Sequence, residues 1–206
     1  MNAAMRSYYE KRASEYDDWW LGAGLFEQRE RPGWYEDVSA LIGVLHALPP
    51  ARTVDLACGT GFLTRHLPGA VAGVDQSPSM LEIARARRKD ATFEVGDALA
   101  PRPGFARIFS SHFYGHLDAA QREAFLALPR EELVLVDSAL RPDGQAEDWQ
   151  ERVLDDGSRH RVYKRFFTAS GLAEELGGGR VLHDGRWFVA VAADQRVVYG
   201  GRETAW

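Results

Sequence analysis

Short apolar runs and amphipathic stretches alternate along the middle of the chain. Five apolar runs predict strands, over residues 53–58, 70–74, 92–95, 105–110 and 132–137. Helical patterning and capping residues between them predict helices over 62–67, 79–88 and 118–128. Ser77 would cap the second of these helices, with Pro78 as its first residue. The runs are apolar throughout instead of alternating with polar residues, which is typical of parallel strands covered on both faces. The pattern therefore predicts an α/β fold with a mostly parallel sheet and helices on both faces.

The flanking segments have different patterns. Apolar residues at helical spacing predict an amphipathic helix over 4–20, ended by Gly22 and Gly24, and a second helix over 34–48. Turn signals in the C-terminal part predict two hairpins, one within 150–164 and one over 180–192, with a helix over 168–176 between them. The second hairpin would add an antiparallel pair, giving seven strands in the main sheet. We find no dividing linker, so we predict a single domain over 1–206.

Composition and charge narrow the class of protein. Of 206 residues, 45% are hydrophobic and 27% charged, as in a globular protein. A formal net charge of −5 disfavours a nucleic-acid partner, and no apolar run approaches the roughly 20 residues of a membrane span. The single cysteine excludes an intrachain disulfide and suits a reducing compartment. We therefore expect a cytoplasmic monomer or homodimer that binds neither nucleic acid nor membrane, and no metal site.

A glycine turn, Gly59-Thr60-Gly61, follows the first strand, and an acidic residue accompanies each of the first three strands. Glycine lets a ligand approach the backbone closely, and parallel strands bind ligands at their carboxyl ends. Asp75 could accept hydrogen bonds from two ribose hydroxyls, and Asp97 from an exocyclic amine. Asp55 suits a cofactor with a cationic group and disfavours a pyrophosphate. Thr64 occupies the position of the third glycine in a dinucleotide-binding fingerprint, so that fingerprint is incomplete here.

Three motifs in this order, VDLACGTG, GVDQSPSMLEIAR and FEVGDAL, resemble class I S-adenosylmethionine-dependent methyltransferases. The segment FARIFSSHFYGHL stands in the place of that family's fourth strand. The N-terminal YYEKRASEYDDWW is similar to the opening helix of small-molecule members, such as those related to the quinone-biosynthesis group. The resemblance implies a Rossmann-like fold in which 1–35 form a helical lid and 148–167 a hairpin-like insertion.

The resemblance also implies a cofactor, S-adenosylmethionine, and a product, S-adenosylhomocysteine. Asp55, Gly59 and Gly61, with the backbone of Ala57, would hold the methionine moiety, and Ser111 would lie near it. Asp75 would bind the ribose. The adenine would be met by the remaining members of the predicted cofactor site, namely Gln76, Met80, Asp97 and Ala98. Tyr8 and Tyr16 resemble the family's lid tyrosines.

The predicted methyl acceptor is an oxygen, nitrogen or carbon atom of a small, partly aromatic or apolar molecule. His112, Tyr114 and His116 follow the fourth strand and are the candidate catalytic residues, because histidine can act as a base near neutral pH. The candidate substrate pocket consists of aromatic residues, Trp19, Trp20, Phe26, Phe113 and Tyr163. The basic segment 159–165 fits either an acidic substrate or a solvated hairpin face.

Two other functions stay open at this stage. One is a protein that binds S-adenosylmethionine without transferring its methyl group, in a regulatory or repurposed role. The other is a nucleic-acid or protein methyltransferase, which the acidic charge disfavours. It is also disfavoured by the sequence SSHF at 110–113, where amino-methylating nucleic-acid enzymes of the family carry an Asn/Asp-Pro-Pro-aromatic motif.

Overall fold

The computed structural model describes residues 3–194, and these contain one large sheet and one small one. The seven strands of the large sheet are β1 (Thr53–Leu56), β2 (Val71–Asp75), β3 (Thr92–Val95), β4 (Arg107–Ser111), β5 (Glu132–Ser138), β8 (Arg180–Asp184) and β9 (Phe188–Asp194). Their order is β3-β2-β1-β4-β5-β9-β8. The first five strands are parallel, and β9 runs antiparallel to both of its neighbours. The predicted mostly parallel sheet with an antiparallel C-terminal pair is confirmed.

The chain reverses its direction of travel across the sheet between β1 and β4. From β1 the chain proceeds outward to β2 and β3, and then returns to place β4 on the other side of β1. In open α/β sheets such a reversal opens a crevice at the carboxyl ends of the two central strands. Residues that follow Leu56 and Ser111 therefore lie at the natural ligand site of this fold.

Helices cover both faces of the large sheet, as predicted. The six helices among the described residues are α1 (Ala3–Arg12), α2 (Asp18–Leu21), α3 (Trp34–His46), α4 (Pro78–Arg87), α5 (Ala119–Leu126) and α6 (Ala169–Glu175). Leu41 and Leu45 of α3 belong to the core on one face, which also holds Phe109 of β4. Phe125 of α5 and Leu172 of α6 belong to the opposite core. Nowhere in 3–194 does a helix combine the length and apolar character needed to cross a bilayer.

Two predicted helices are wrong in extent. The helix expected over 4–20 is α1, a 3₁₀ turn at Ala13–Glu15 and the short α2, which ends at Gly22 in the left-handed conformation. The helix is interrupted between α1 and α2, where Asp17 binds Thr60 of the glycine turn and Arg87 of α4. The segment 62–67 forms only a 3₁₀ turn, Thr64–His66, since six residues are too few to sustain a helix without strong packing.

The small sheet is the antiparallel hairpin of β6 (Glu147–Val153) and β7 (Arg159–Arg165). Alternate side chains of a hairpin point to opposite faces. On one face Val162 and Lys164 are buried, whereas Arg159 and Arg161 on the other are exposed. The buried face packs on the N-terminal segment, by which we mean the part of the chain before α3. Val162 shares a hydrophobic cluster with Tyr8 of this segment. The hairpin therefore covers the N-terminal segment on the side away from α4.

Candidate active site

The two central strands end in strained backbone. Ala57, just after β1, has φ of 60°, and His112, just after β4, has φ of 53°. Residues other than glycine rarely adopt this left-handed conformation, and they do so mostly where the surrounding structure enforces it, often at functional sites. Both outliers flank the crevice between β1 and β4. No feature of the sequence reveals them.

Asp75 at the end of β2 organises the glycine turn. Its Oδ2 accepts a hydrogen bond from the backbone N–H of Gly59 (2.9 Å), and its Oδ1 accepts one from that of Ser77 (2.9 Å). Burial raises the pKa of Asp75, and these backbone donors oppose the rise. Each carboxylate oxygen has a second lone pair. The carboxylate is therefore fixed in orientation and can still accept from two ligand hydroxyls.

Asp55 lies beneath the glycine turn and is 1% exposed. Its Oδ2 accepts a hydrogen bond from the Thr64 hydroxyl (2.5 Å), whereas Oδ1 is buried without a partner among the described residues. Burial raises the pKa of Asp55 to about 8, and the nearby charge of Asp75 adds to the rise. A buried carboxylate oxygen without a donor is costly, and a cationic group would relieve that cost.

A first cavity, which we call the cofactor cavity, opens between α4 and the N-terminal segment. Six of the predicted cofactor residues line it, namely Tyr16, Ala57, Asp75, Gln76, Met80 and Ser111. The other lining residues are Arg6, Tyr9, Ser77, His112, Phe113 and His116. Ser77 caps α4 and Pro78 is its first residue, as the sequence predicted.

Other predicted cofactor residues lie outside the walls of this cavity. Tyr8, which was predicted to contact the cofactor, does not line the cavity. It packs against the β6–β7 hairpin and accepts a hydrogen bond from Arg12 (2.7 Å). Tyr9, which the sequence analysis did not select, lines the cavity instead. Asp97 is exposed and caps its own turn by accepting from the N–H of Leu99 (3.0 Å). The remaining three do not line the cavity either, namely Gly59 and Gly61, which have left-handed backbone, and the buried Ala98.

The N-terminal segment is fastened over the cofactor cavity at two points. Glu10 of α1 accepts hydrogen bonds from the hydroxyls of Ser77 (2.5 Å) and Ser79 (2.6 Å) at the start of α4. Asp17 accepts from the Thr60 hydroxyl (2.6 Å) in the glycine turn and forms an ion pair with Arg87. These contacts link residues at least 43 positions apart, so no local pattern could have predicted them.

A second cavity of about 290 Å³, which we call the acceptor cavity, adjoins the first. Its walls come from the N-terminal segment, the β6–β7 hairpin and the ends of β4 and β5. Four side chains line both cavities, namely Tyr9, Tyr16, His112 and His116. The two cavities therefore meet at a border made of two phenols and two imidazoles.

The hydrogen bonds of His116 define its protonation. Nδ1 lies 2.5 Å from the carbonyl oxygen of Tyr163, which can only accept, so Nδ1 carries the proton. Nε2 therefore accepts from the Tyr9 hydroxyl (3.2 Å), a phenol whose pKa is raised by burial. Burial and the charge of Lys164 lower the pKa of His116 to about 3. The ring is neutral at physiological pH.

His112 is neutral for the same reasons. Burial and the charge of Lys164 lower its pKa to about 3. Its Nδ1 lies 3.3 Å from the Ser138 hydroxyl and 3.7 Å from Asp137 Oδ1, and its Nε2 has no hydrogen-bond partner within 3–194. Asp137 forms a buried ion pair with Lys164 and also accepts from two backbone N–H groups. Nε2 is thus a buried ring nitrogen without a partner, in a residue that lines both cavities.

Comparisons with known proteins identify the family to which this geometry belongs. Residues 53–133 match the family described as "Methyltransferase domain". The dTDP-3-amino-3,6-dideoxy-alpha-D-glucopyranose N,N-dimethyltransferase of Streptomyces fradiae is 38% identical over 131 residues, which are 60% of this chain and 48% of that protein. A solved structure described as the DhpI-SAH complex is similar with a TM-score of 0.68 and 26% identity, over 94% of this chain and 96% of that one. The chain carries a class I S-adenosylmethionine-dependent methyltransferase domain.

The predicted family is therefore confirmed, and its predicted subgroup is supported only loosely. The demethylmenaquinone methyltransferase of Thermotoga maritima is 46% identical over 54 residues, 24% of each chain. That stretch is too short to separate quinone-related methyltransferases from others, so the subgroup stays a prediction. The chain spans about half or less of the length of the curated relatives it matches.

The residues predicted to form the substrate pocket lie in several different surroundings, including the acceptor cavity, the cofactor cavity and the core. Trp19 and Phe26 line the acceptor cavity, together with Trp34, Phe166 and Trp187. Trp20 is core, since its ring stacks on Phe62 at a centroid distance of 4.7 Å. Phe113 lines the cofactor cavity. The side chain of Tyr163 turns away and donates to Glu147 (2.5 Å), while its backbone carbonyl holds His116.

Tyr114 lies away from both cavities. It is 1% exposed, lies in the core beside α5 and α6, and donates a hydrogen bond to Glu175 (2.8 Å). It lines neither the cofactor cavity nor the acceptor cavity. β4 ends at Ser111, and the following turn places Tyr114 in the core that contains Phe125 and Leu172. A catalytic role of Tyr114 therefore stays a prediction that its position does not support.

Proposed function

We propose that this protein transfers a methyl group from S-adenosylmethionine to an oxygen, nitrogen or carbon atom of a small molecule. The observation that carries the proposal is the shared border of the two cavities. A bound cofactor and a bound acceptor would meet only at Tyr9, Tyr16, His112 and His116. Methyl transfer requires this kind of meeting, because the nucleophile must lie close to the methyl carbon and in line with it.

The residues around the cofactor cavity fit S-adenosylmethionine. Asp75 would accept from the ribose hydroxyls with its free lone pairs, and Gln76 and Met80 would line the adenine. The unpartnered Oδ1 of Asp55 would accept a hydrogen bond from the α-ammonium group, whose positive charge would favour the ionised form of this carboxyl. When bound, the cofactor supplies a methyl group on a sulfonium, whose C–S electron pair stays on sulfur as a neutral thioether.

The border residues would orient the acceptor and add no positive charge of their own beside the sulfonium. A lone pair of the acceptor forms the new bond to the methyl carbon as the C–S bond breaks. Neutral His112 and His116 do not repel a cationic methyl donor, as protonated rings would. His112 Nε2 is free to accept a hydrogen bond from the O–H or N–H of the acceptor. With a pKa of about 3 it would orient that group, and the proton would pass to water.

Cofactor binding is tested by titrating the protein with S-adenosylhomocysteine in a calorimeter. Asp75→Ala removes charged hydrogen bonds and should weaken affinity by about 1–3 kcal/mol, roughly 5–150-fold. Asp90→Ala, at an exposed position outside the cavity, is the matched control. Equal affinity in wild type and Asp75→Ala would refute the assignment of Asp75.

Methyl transfer is tested with S-adenosylmethionine labelled in its methyl group and a library of small acceptors. His112→Ala should lower turnover more than it lowers affinity for S-adenosylhomocysteine. An equal fall in both, or no fall, would remove His112 from the reaction. Binding of the cofactor without any labelled product would favour the alternative of a binding protein that does not transfer the methyl group.

A further inference from the structure

The acceptor cavity has a strong excess of positive charge. Six cationic side chains line it, namely Arg12, Arg29, Arg31, Arg141, Arg152 and Lys164, against one carboxylate, Glu30. The whole chain has the opposite balance, with 25 lysines and arginines and 30 aspartates and glutamates. Positive charge is therefore concentrated at this cavity in a chain that is acidic as a whole.

Among residues 3–194, only one of these six cations is paired with a carboxylate. Lys164 pairs with Asp137, whereas none of the five arginines lies within 4 Å of a carboxylate in the described part of the chain. They contact neutral groups instead. Arg12 donates to the Tyr8 hydroxyl, and Arg31 donates to the carbonyl of Trp19 and stacks on Trp34. The charge of these arginines remains uncompensated.

Two of the unpaired guanidinium groups are shielded from bulk water to different degrees. Arg12 is 8% exposed, whereas Arg152 is half-buried and held by a hydrogen bond to the amide oxygen of Gln150. Burial lowers the pKa of Arg152, and Arg12 and Arg29 lie near enough to lower it further by repulsion. Like charges gathered in a concave, partly buried site focus a positive potential on the space between them. Guanidinium groups also match the planar, bidentate geometry of oxyanions.

The N-terminal segment and the hairpin contribute to this cluster from opposite sides. Arg12 ends α1, and Arg152 lies on the inner face of β6, in register with His160. The arginines at 159 and 161, which the sequence singled out, lie on the outer face. Arg165 pairs with Glu175. Of the basic segment 159–165 only Lys164 lines the acceptor cavity, so the five arginines, which are spread over 140 positions of the sequence, could not be read from it.

We propose that the methyl acceptor is an anion, a small molecule whose carboxylate or phosphoryl group is bound by Arg12 and Arg152. This inference rests on the proposed function and narrows its substrate class. The anionic group anchors the molecule at the hairpin end of the acceptor cavity. Its nucleophilic atom then lies toward His112 and His116. Arg29 and Arg141 are exposed at the mouth of the cavity and draw the anion inward.

The anchor is tested with inorganic phosphate and with acetate as probes, at constant ionic strength, in the presence and in the absence of saturating S-adenosylhomocysteine. Thermal unfolding is the readout, because a ligand that binds only the folded state raises Tm. Phosphate, acetate or both should raise Tm by about 3 °C or more at concentrations well above Kd. The response to phosphate alone assigns a phosphoryl group, and the response to acetate alone assigns a carboxylate.

Three variants decide where the anion binds. Arg12→Gln and Arg152→Gln should abolish the rise in Tm, whereas Arg161→Gln, on the same hairpin but the opposite face, should keep it. Arg29→Gln, at an exposed position, should reduce the rise and serves if a buried variant does not fold. No rise with either probe, or a rise that survives in Arg12→Gln, Arg152→Gln and Arg29→Gln, would overturn the inference.

Failure of this inference is distinguishable from failure of the proposed function. S-Adenosylhomocysteine binding is measured on the same protein by calorimetry and does not depend on the anion. Binding of S-adenosylhomocysteine without any anion response would overturn the anionic acceptor and leave the methyltransferase proposal intact. In the labelled-methyl assay, carboxylated or phosphorylated acceptors should give product and their neutral amides or alcohols should not. Arg152→Gln should raise KM for these acceptors more than it lowers kcat.

Discussion

Replacing Lys164 by methionine should leave Asp137 as an unpaired charge in the protein interior. The Lys164 and Asp137 side chains are 4% and 1% exposed. Removing one partner of such a pair costs about 3–5 kcal/mol. Asp137 still accepts from the N–H groups of Gly115 and Ser138, so we expect the lower part of that range. For a chain of this length the corresponding fall in Tm is roughly 6–12 °C.

The assay is denaturant unfolding of the wild type, Lys164→Met, Asp137→Asn and the double variant, with the exposed Lys89→Met as control. Removing both partners should cost less than the sum of the single changes, by about 2 kcal/mol, because neither charge is then left alone. Additive costs, or a cost below about 1 kcal/mol for Lys164→Met, would refute the view that this pair is energetically coupled.

The same variant has a pH signature. Burial raises the pKa of Asp137, but the charge of Lys164 and smaller favourable contacts together lower it by more, so the pKa lies below its usual value. A depressed pKa contributes stability that is present above the unfolded pKa, about 4, and is lost as pH falls through the folded value. The difference in stability between wild type and Lys164→Met should therefore shrink below about pH 4. The pKa values of His112 and His116 should rise in the variant, since Lys164 lowers both.

Three other changes test separate parts of the site. Asp55→Asn should become more stable relative to the cofactor-free wild type as pH rises from about 4 to 8. The folded pKa of Asp55 is raised to about 8, so the wild type loses stability over that window and the variant does not. A constant difference in Tm across this window would contradict the raised pKa. Glu10→Ala should weaken S-adenosylhomocysteine binding about 5–30-fold by releasing α1 from Ser77 and Ser79, and calorimetry of Glu82→Ala, exposed on α4, is the control. Tyr114→Phe should keep kcat/KM within about twofold and lose about 1 kcal/mol of stability; a large loss of turnover without loss of stability would restore Tyr114 as a catalytic candidate.

The sequence was sufficient wherever the determining interactions are local. The strand at Thr92–Val95 was predicted with its observed bounds, and Ser77 with Pro78 marked the start of α4. Asp75 could be placed at the end of β2 because a capped helix follows it, and the glycine turn could be placed after β1 because an apolar run precedes it. Apolar runs in succession also defined the parallel sheet. In each case neighbours along the chain supply the signal.

The sequence was insufficient where the site depends on pairs that are distant along the chain. Tyr8 and Tyr9 are adjacent and chemically equal, and only the contact of Tyr9 with His116, 107 positions away, places it at the border. The left-handed backbone of His112 and the unpartnered oxygen of Asp55 are also products of tertiary packing. The arginine cluster arises because the hairpin folds back over the N-terminal segment.

The two hydrogen bonds of Glu10 have a consequence for the order of events in a catalytic cycle. Arg6 and Tyr9 of α1 line the cofactor cavity, so we expect exchange of its occupant to require that Glu10 separate from Ser77 and Ser79. The acceptor cavity has exposed arginines at its mouth and needs no such separation. Initial-velocity kinetics would accordingly be sequential and ordered, with the methyl donor entering first and its demethylated product leaving last. The rate of turnover would then be limited by the detachment of α1 and not by the methyl-transfer step.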